Sequence, residues 1–403
     1  MGNIVRKKYL DKLSFFQDKN FIKMLTGVRR CGKSTLMLQF QDLLKTETPD
    51  VSMLSINLDV PEFRFLAEKS WKELYDYIVS SLNTDKMSYV FLDEIQNVRE
   101  FEKLLEGLFV HPKIDLYVTG SNAYLLSSEL ATLLTGRAIE IEVLPFSFAE
   151  YLEFTDKQSN LDQAFTDYIM IGGLPEADRL SVANNNYAFE YLQTVYRNIY
   201  HNDILKRHTI QSDKSYDEVV HFLIDSLGSQ VSAGNIAKVL TANGKKIGNK
   251  SVSKYIDTLV EAYLFYKVER YDIKGKQHLA TLEKYYLVDT GLRHALLGKE
   301  LNSDSGHVLE NVIFLELLRR GHRVWVGKVG NSEVDFVARD ENGYKKYIQV
   351  AQTVKDPQTL ARELAPFDKI PDHNEKILIT TDHETGSRNG IKQINAIDWL
   401  LNQ

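Results

Sequence analysis

The chain has 403 residues, a formal net charge of −6, 43% hydrophobic and 26% charged residues, and one cysteine. That length exceeds one ordinary core and predicts about two to four domains of globular type. A single cysteine excludes an internal disulfide and a cysteine-built zinc cluster, and no apolar run reaches the ~18 residues of a membrane span. Residues 1–8 lead into no signal-type apolar core, so a cytoplasmic protein without a membrane partner is expected.

In chain order, residues 4–18 read as an amphipathic helix with Val5, Tyr9, Leu13 and Phe16 on one face. The apolar run Phe21 to Thr26 reads as a buried strand. It feeds Gly27-Val28-Arg29-Arg30-Cys31-Gly32-Lys33-Ser34-Thr35, a match to G-x-x-x-x-G-K-[ST], and then a helix with Leu36, Met37, Phe40 and Leu44 at helical spacing. Gly27 and Gly32 let successive N–H groups turn toward an anion, and the helix N-terminus adds partial positive charge there. The ATP-binding set is therefore Gly27, Arg29, Arg30, Cys31, Gly32, Lys33, Ser34 and Thr35. Lys33 is expected on the β- and γ-phosphates and the Ser34 hydroxyl on Mg²⁺. Cys31, near a helix N-terminus, is expected to have a lowered thiol pKa and to be alkylated in competition with ATP.

Val51 to Leu58 reads as a second strand and Trp71 to Leu82 as a helix. Tyr89-Val90-Phe91-Leu92-Asp93-Glu94 is a buried strand whose end delivers two carboxylates to the crevice above a parallel sheet. Asp93 is expected to support Mg²⁺ and Glu94 to orient and polarise the attacking water, help worth ~10²–10⁴ in rate. After a helix near Phe101 to Leu108, Leu116-Tyr117-Val118-Thr119-Gly120-Ser121-Asn122 is another buried strand. In a P-loop ATPase of this type it carries a polar sensor. Thr119, Ser121 and Asn122 are the candidates, with Ser121 preferred; Ser121 is also placed to cap a helix from Tyr124 to Leu130. Thr135-Gly136-Arg137 precedes a strand, Ala138 to Leu144, expected beside the phosphate-loop strand. Arg137 is a candidate charge sensor or arginine finger, a group worth ~10³–10⁵ in rate where used; the alternative is a surface arginine paired to a glutamate.

These motifs, followed by Leu144-Pro145-Phe146-Ser147-Phe148-Ala149-Glu150-Tyr151, resemble a bacterial and archaeal family of AAA-type P-loop ATPases with a C-terminal domain of unknown function. Gly172-Gly173-Leu174-Pro175-Glu176 and Tyr200-His201-Asn202-Asp203-Ile204 resemble further elements of that family. The resemblance covers nearly the whole chain. It implies an α/β fold: a P-loop core with an AAA-like parallel sheet over 1–155, a helical lid over 156–225, a winged-helix-like module over 226–298 and a C-terminal α/β domain over 299–403. It also implies adenine rather than guanine as the base. The lid position in such proteins moves with nucleotide state.

From Gly228 to His278 there are nine Lys and Arg against four Asp and Glu, a basic stretch in an acidic chain. Helix Val231–Leu240, loop 243–248, helix Ser251–Glu261 and a β-hairpin about Lys274-Gly275-Lys276 form a winged-helix pattern. Its second helix suits a major groove, with Lys245, Lys246, Lys250 and Lys254 as candidate duplex-DNA contacts; protein docking is the alternative. Beyond residue 300, Glu310 on a helix and Asp335 on a strand resemble the restriction-endonuclease-like fold. There Gln349-Val350-Ala351 replaces the metal-binding Glu-x-Lys. One carboxylate and the lysine are missing, which argues against metal-assisted cleavage and for a binding or structural use. Three readings follow: an Mg²⁺-dependent ATPase that moves its C-terminal domains, a slow nucleotide switch that docks an unknown protein partner, and a module whose DNA contact follows ATP state.

Overall fold

In the computed structural model, residues 4–82, 86–121, 136–244, 247–298 and 305–402 are described. Asn122, Thr135, the helix expected over 124–130, Lys245 and Lys246 lie outside the described residues. The chain divides into two compact units, one up to residue 143 with 261–263, the other holding the remainder from 144 on.

The N-terminal unit is built on β1 (Ile22–Thr26), β2 (Ser52–Asn57), β3 (Ser88–Asp93), β4 (Ile114–Thr119) and β5 (Ala138–Glu142). Their order is β2-β3-β4-β1-β5, with every pairing parallel. β1 and β3 are buried along their whole length, which is why both read as continuous apolar runs. Alternation sends Phe91 and Tyr117 to one face, where Phe40 of the helix Lys33–Glu47 meets them at ring distances of 6.4 and 5.1 Å. Val90, Leu92 and Val118 share the other core with Leu74, Ile78, Leu104 and Leu108 from helices Trp71–Ser81 and Phe101–Phe109. Helices thus cover both faces, the arrangement a parallel sheet requires.

Two charges depart from the apolar reading of this unit. Lys23 on β1 is fully buried, paired with Asp115 on β4 and lying 5.0 Å from the Tyr117 ring. Burial lowers its pKa, against the pull of the Asp115 carboxylate. The first helix spans Lys7–Phe16 and buries Tyr9, Leu10 and Leu13, while Val5 is 62% exposed. Arg6 is buried instead, its guanidinium donating to the Cys31 carbonyl at 3.3 Å.

The second unit carries β6 (Phe265–Asp272), β7 (Gln277–Leu287), β8 (Arg323–Val329), β9 (Ser332–Arg339), β10 (Lys345–Ala351), β11 (Glu375–Thr380), β12 (Gly386–Arg388) and β13 (Ile391–Asn395). They form one mixed sheet in the order β12-β13-β11-β10-β9-β8-β6-β7. The hairpin expected as a wing is therefore one end of the C-terminal sheet, through parallel pairing of β6 with β8. Helices Phe148–Thr155 and Leu161–Ile171 send Phe148, Tyr151, Phe165 and Tyr168 into the same core as Tyr286, Phe314 and Phe336. The start of the stretch read as a lid thus shares its core with the C-terminal strands.

The Gly172-Gly173 pair gains a physical role here. Gly172 has φ +89°, and a Cβ on it would lie 2.1 Å from the Asp289 carboxylate. A Cβ on Gly173 would lie 2.4 Å from the Phe146 carbonyl oxygen. Asp289 accepts from the N–H groups of Gly173 at 2.7 Å and Gly291 at 3.0 Å, and so ties this corner to the start of helix Thr290–Leu297. Burial raises the Asp289 pKa to about 6, against those N–H bonds.

Candidate functional site

Residues 27–32 form the loop between β1 and the helix Lys33–Glu47. Gly27 has φ +131°, and a Cβ there would fall 2.3 Å from the Val143 carbonyl, so the loop's close approach to the chain after β5 admits only glycine. The Lys33 ammonium folds back over the loop and donates to the carbonyls of Gly27 at 2.8 Å and Val28 at 2.9 Å. Ser34 and Thr35 are exposed at the helix start, Arg30 is exposed, and Arg29 is half-buried.

The end of β3 meets this loop across one intervening strand, β4. Ser34 Oγ donates to Asp93 Oδ1 at 3.1 Å, Asn57 Nδ2 donates to Asp93 Oδ2 at 3.2 Å, and the Thr119 hydroxyl donates to Asp93 Oδ1. Burial raises the Asp93 pKa, while the hydroxyls of Thr119 and Ser34 hold it down. A hydroxyl beside an oxygen-only carboxylate suits a hard divalent cation. Glu94 lies just past the strand with φ +58°, a left-handed conformation uncommon for a residue with a Cβ. Its N–H donates to Thr119 Oγ1 at 2.9 Å, and its carboxylate accepts from Gln96 and, at 3.4 Å, from Ser121 Oγ. Gln96 also reaches Ser121 at 3.2 Å. Lys33, Ser34, Asp93, Glu94 and Ser121 are thus at one end of the sheet.

Sequence reading did not foresee Asn57, Gln96 or Arg6, nor that the Thr119 hydroxyl donates to Asp93 while accepting from the Glu94 N–H. Asn57 ends β2 as Asp93 ends β3, and the two face each other in parallel register; only the strand order reveals it.

Arg137 is a correction. Its carbonyl accepts from Ile22 N–H, and Ala138 pairs with Ile22, so Arg137 sits where β1 begins. The phosphate loop follows where β1 ends, roughly 15 Å away along the strand. The guanidinium lies 3.5 Å from Glu106 instead, with both side chains substantially exposed. Parallel strands gather their starts at one edge, which removes Arg137 from the pocket of its own chain.

Cys31 is a second correction. The side chain is fully buried, and burial pushes its thiol pKa up, against the nearby charges of Lys33 and Arg6. Iodoacetamide should label the native protein slowly and equally with or without ATP, and quickly once the protein is unfolded. Protection of a fast-reacting thiol by ATP would contradict this placement.

In the second unit, Glu310 and Asp335 do come together, around a lysine that the sequence did not single out. Lys284 Nζ on β7 lies 2.8 Å from Glu310, 2.7 Å from Glu333 and 3.9 Å from Asp335. Tyr286 Oη donates to Glu310 at 2.5 Å. Gln349 accepts from Asp335 N–H at 3.3 Å and donates to Glu363 at 2.9 Å. Burial disfavours the Lys284 charge, yet Glu310, Asp335 and Glu333 together hold its pKa above the ordinary value. Burial and the Glu310 charge push Asp335 well up. Lys345 and Lys346 are engaged elsewhere, Lys345 with Tyr271 and Lys346 with Glu375.

Of the candidate DNA contacts, Lys250 and Lys254 are exposed on helix Asn249–Glu261, and Lys254 donates to the Thr209 carbonyl at 3.3 Å.

A glycine loop feeding a helix from a five-stranded parallel sheet, with a carboxylate pair one strand removed, defines a P-loop core of the AAA class. Residues 19–152 match the family described as an AAA domain, and residues 162–303 match one described as a domain of unknown function, DUF8612. The chain belongs to the family of an uncharacterized protein of Haemophilus influenzae, with which it is 37% identical over 404 residues, 99% of this chain and 98% of that one. An uncharacterized protein of Methanocaldococcus jannaschii is 29% identical over 90% of this chain and 83% of its own. Among solved structures, the Walker-type ATPase of Pyrococcus abyssi is similar with a TM-score of 0.48 and 16% identity, covering 73% of this chain and 96% of that one. AMPPCP-bound DnaA of Aquifex aeolicus is similar with a TM-score of 0.33 and 14% identity, covering 65% and 89%. Among the described residues no helix is long and apolar enough to cross a membrane.

Proposed function

We propose that the protein binds ATP with Mg²⁺ and hydrolyses it, and that turnover drives movement of its second unit. The observation that carries this is the hydroxyl–carboxylate pair Ser34–Asp93, with Glu94 beside it in a left-handed turn. Mg²⁺ would neutralise phosphate charge, and Ser34 and Asp93 are the residues that fit it. Lys33 would exchange the Gly27 and Val28 carbonyls for phosphate oxygens. The loop N–H groups of 27–35 would hold the phosphates, with Arg29 and Arg30 flanking them. Glu94, steadied by Thr119, Gln96 and Ser121, would align the attacking water and take its proton.

Asp93→Asn tests the metal assignment with two readouts of opposite sign. The folded state raises this pKa, so it takes up the proton before the unfolded chain does. The group's contribution to stability is therefore greatest in acid and declines as pH rises through the folded pKa. At neutral pH the variant, without that charge, should melt higher in the nucleotide-free form. It should also lose Mg²⁺-dependent ATP binding in calorimetric titration. A variant that melts lower and binds Mg²⁺-ATP as the wild type does would sink the assignment.

The second reading is a slow switch that holds ATP for a protein partner. The placement of Arg137 favours it, since the pocket then lacks that arginine and intrinsic hydrolysis is slow in systems awaiting one. Turnover far slower than nucleotide exchange would select the switch. The C-terminal cluster is proposed as structural rather than nucleolytic, with the Lys284 ammonium balancing the carboxylates. Duplex DNA at Lys250 and Lys254 rests on their exposure alone, and salt-independent binding would count against it.

A further inference from the structure

The sheet of the second unit carries a cavity of about 260 Å³ that none of the preceding roles uses. Three rings line it. Tyr271 on β6, His278 on β7 and Trp325 on β8 lie with centroids 5.4, 5.5 and 6.1 Å apart. Trp325 is only half-buried, and His278 is exposed. Four cations surround the rings: Lys276, Arg323, Arg339 and Lys345.

The register makes three of these cations a row. Arg323 pairs with Arg339, and Arg339 pairs with Lys345, across β8, β9 and β10. Like charges directly opposite on neighbouring strands are destabilising. Among the described residues none of the four forms a salt bridge to a carboxylate. Lys345 donates to the Tyr271 hydroxyl at 3.1 Å, and Asp372, whose charge reaches Lys345, is taken by Tyr347 Oη at 2.6 Å. Among the described residues the row therefore keeps its three like charges side by side with no carboxylate in salt-bridge contact.

We propose that this face binds a single-stranded nucleic acid, with an unpaired base stacked on Trp325 and successive phosphates along the Arg323–Arg339–Lys345 row. The ligand must bring a flat π surface together with anionic charge. A duplex hides its base faces in the stack, whereas a single strand offers both. A free mononucleotide has the same chemistry, but the cation row spans three strands, about 10 Å, and exceeds one phosphate group. The site goes beyond the ATPase reading and is independent of it.

The test is fluorescence anisotropy of a labelled oligothymidylate of about a dozen nucleotides, with the full chain, without ATP or Mg²⁺, over a range of salt. Binding should weaken with salt. Trp325→Ala should weaken it about 5- to 150-fold, and Trp325→Phe should restore most of the loss, since stacking is worth ~1–3 kcal/mol per base. Arg323→Gln with Arg339→Gln should reduce the salt slope by about 1–2. Equal affinity of the wild type and Trp325→Ala overturns the proposal. So does displacement by a duplex as readily as by unlabelled strand, or displacement by thymidine monophosphate at the same concentration as the strand. Because no step involves nucleotide hydrolysis, failure here leaves the Glu94 and Asp93 tests standing, and failure there leaves this one.

Discussion

Glu94→Gln should bind ATP as tightly as the wild type and release phosphate ~10²–10⁴ times more slowly. The substitution keeps the shape of the side chain and a carbonyl oxygen to accept from Gln96 and Ser121. It leaves the N–H bond to Thr119 intact, so the left-handed turn and the neighbouring Asp93 are undisturbed. What it removes is the negative charge and the basicity that would receive a proton from water. Filter binding of labelled ATP, followed by single-turnover phosphate release, separates the two quantities. A variant that turns over at the wild-type rate would assign water activation elsewhere. Weaker ATP binding with unchanged release would instead make Glu94 a ligand-positioning group.

The second large effect lies far along the chain, at a corner with no nucleotide chemistry. Gly172→Ala must place a methyl group 2.1 Å from Asp289 Oδ1 and hold φ near +89° with a Cβ present. Gly173→Ala drives its methyl toward the Phe146 carbonyl, a backbone atom that cannot swing away. Each should destabilise the second unit by about 3–5 kcal/mol, the range of strain combined with a broken buried bond. Urea unfolding monitored by circular dichroism would measure it. A midpoint within the error of the wild type would show that the corner relaxes, and that Asp289 does not fasten it.

The motifs that carry chemistry were legible because they are local. Gly27 to Thr35 lies in one turn, and Asp93-Glu94 ends one strand, so spacing alone brings them out. Partners brought in by strand order were not. Asn57 meets Asp93 only because β2 lies beside β3, and Thr119 reaches Asp93 only because β4 lies between β3 and β1. Arg137 was left between two readings for the same reason in reverse, and the pairing with a glutamate is the one the structure shows. Its neighbour strand was foreseen, but which end of that strand it occupies places it with Glu106. Cys31 was read from the helix N-terminus beside it, and its burial beneath the loop proved the stronger influence. The hairpin was read as a free wing because nothing in residues 265–287 announces the parallel edge of β8. Lys284 was not singled out for the same reason.

That lysine bears on how this part of the chain can be inherited. Glu310 belongs to the helix Ser305–Arg319, yet its counter-ion comes from β7. A recombination point between them would deliver a buried carboxylate without its cation, at a cost of about 3–5 kcal/mol when such a pair is broken. The same break would leave the Tyr286 hydroxyl without its acceptor. Any exchange of segments has to keep the hairpin and the helix Ser305–Arg319 together, because each holds half of this buried pair.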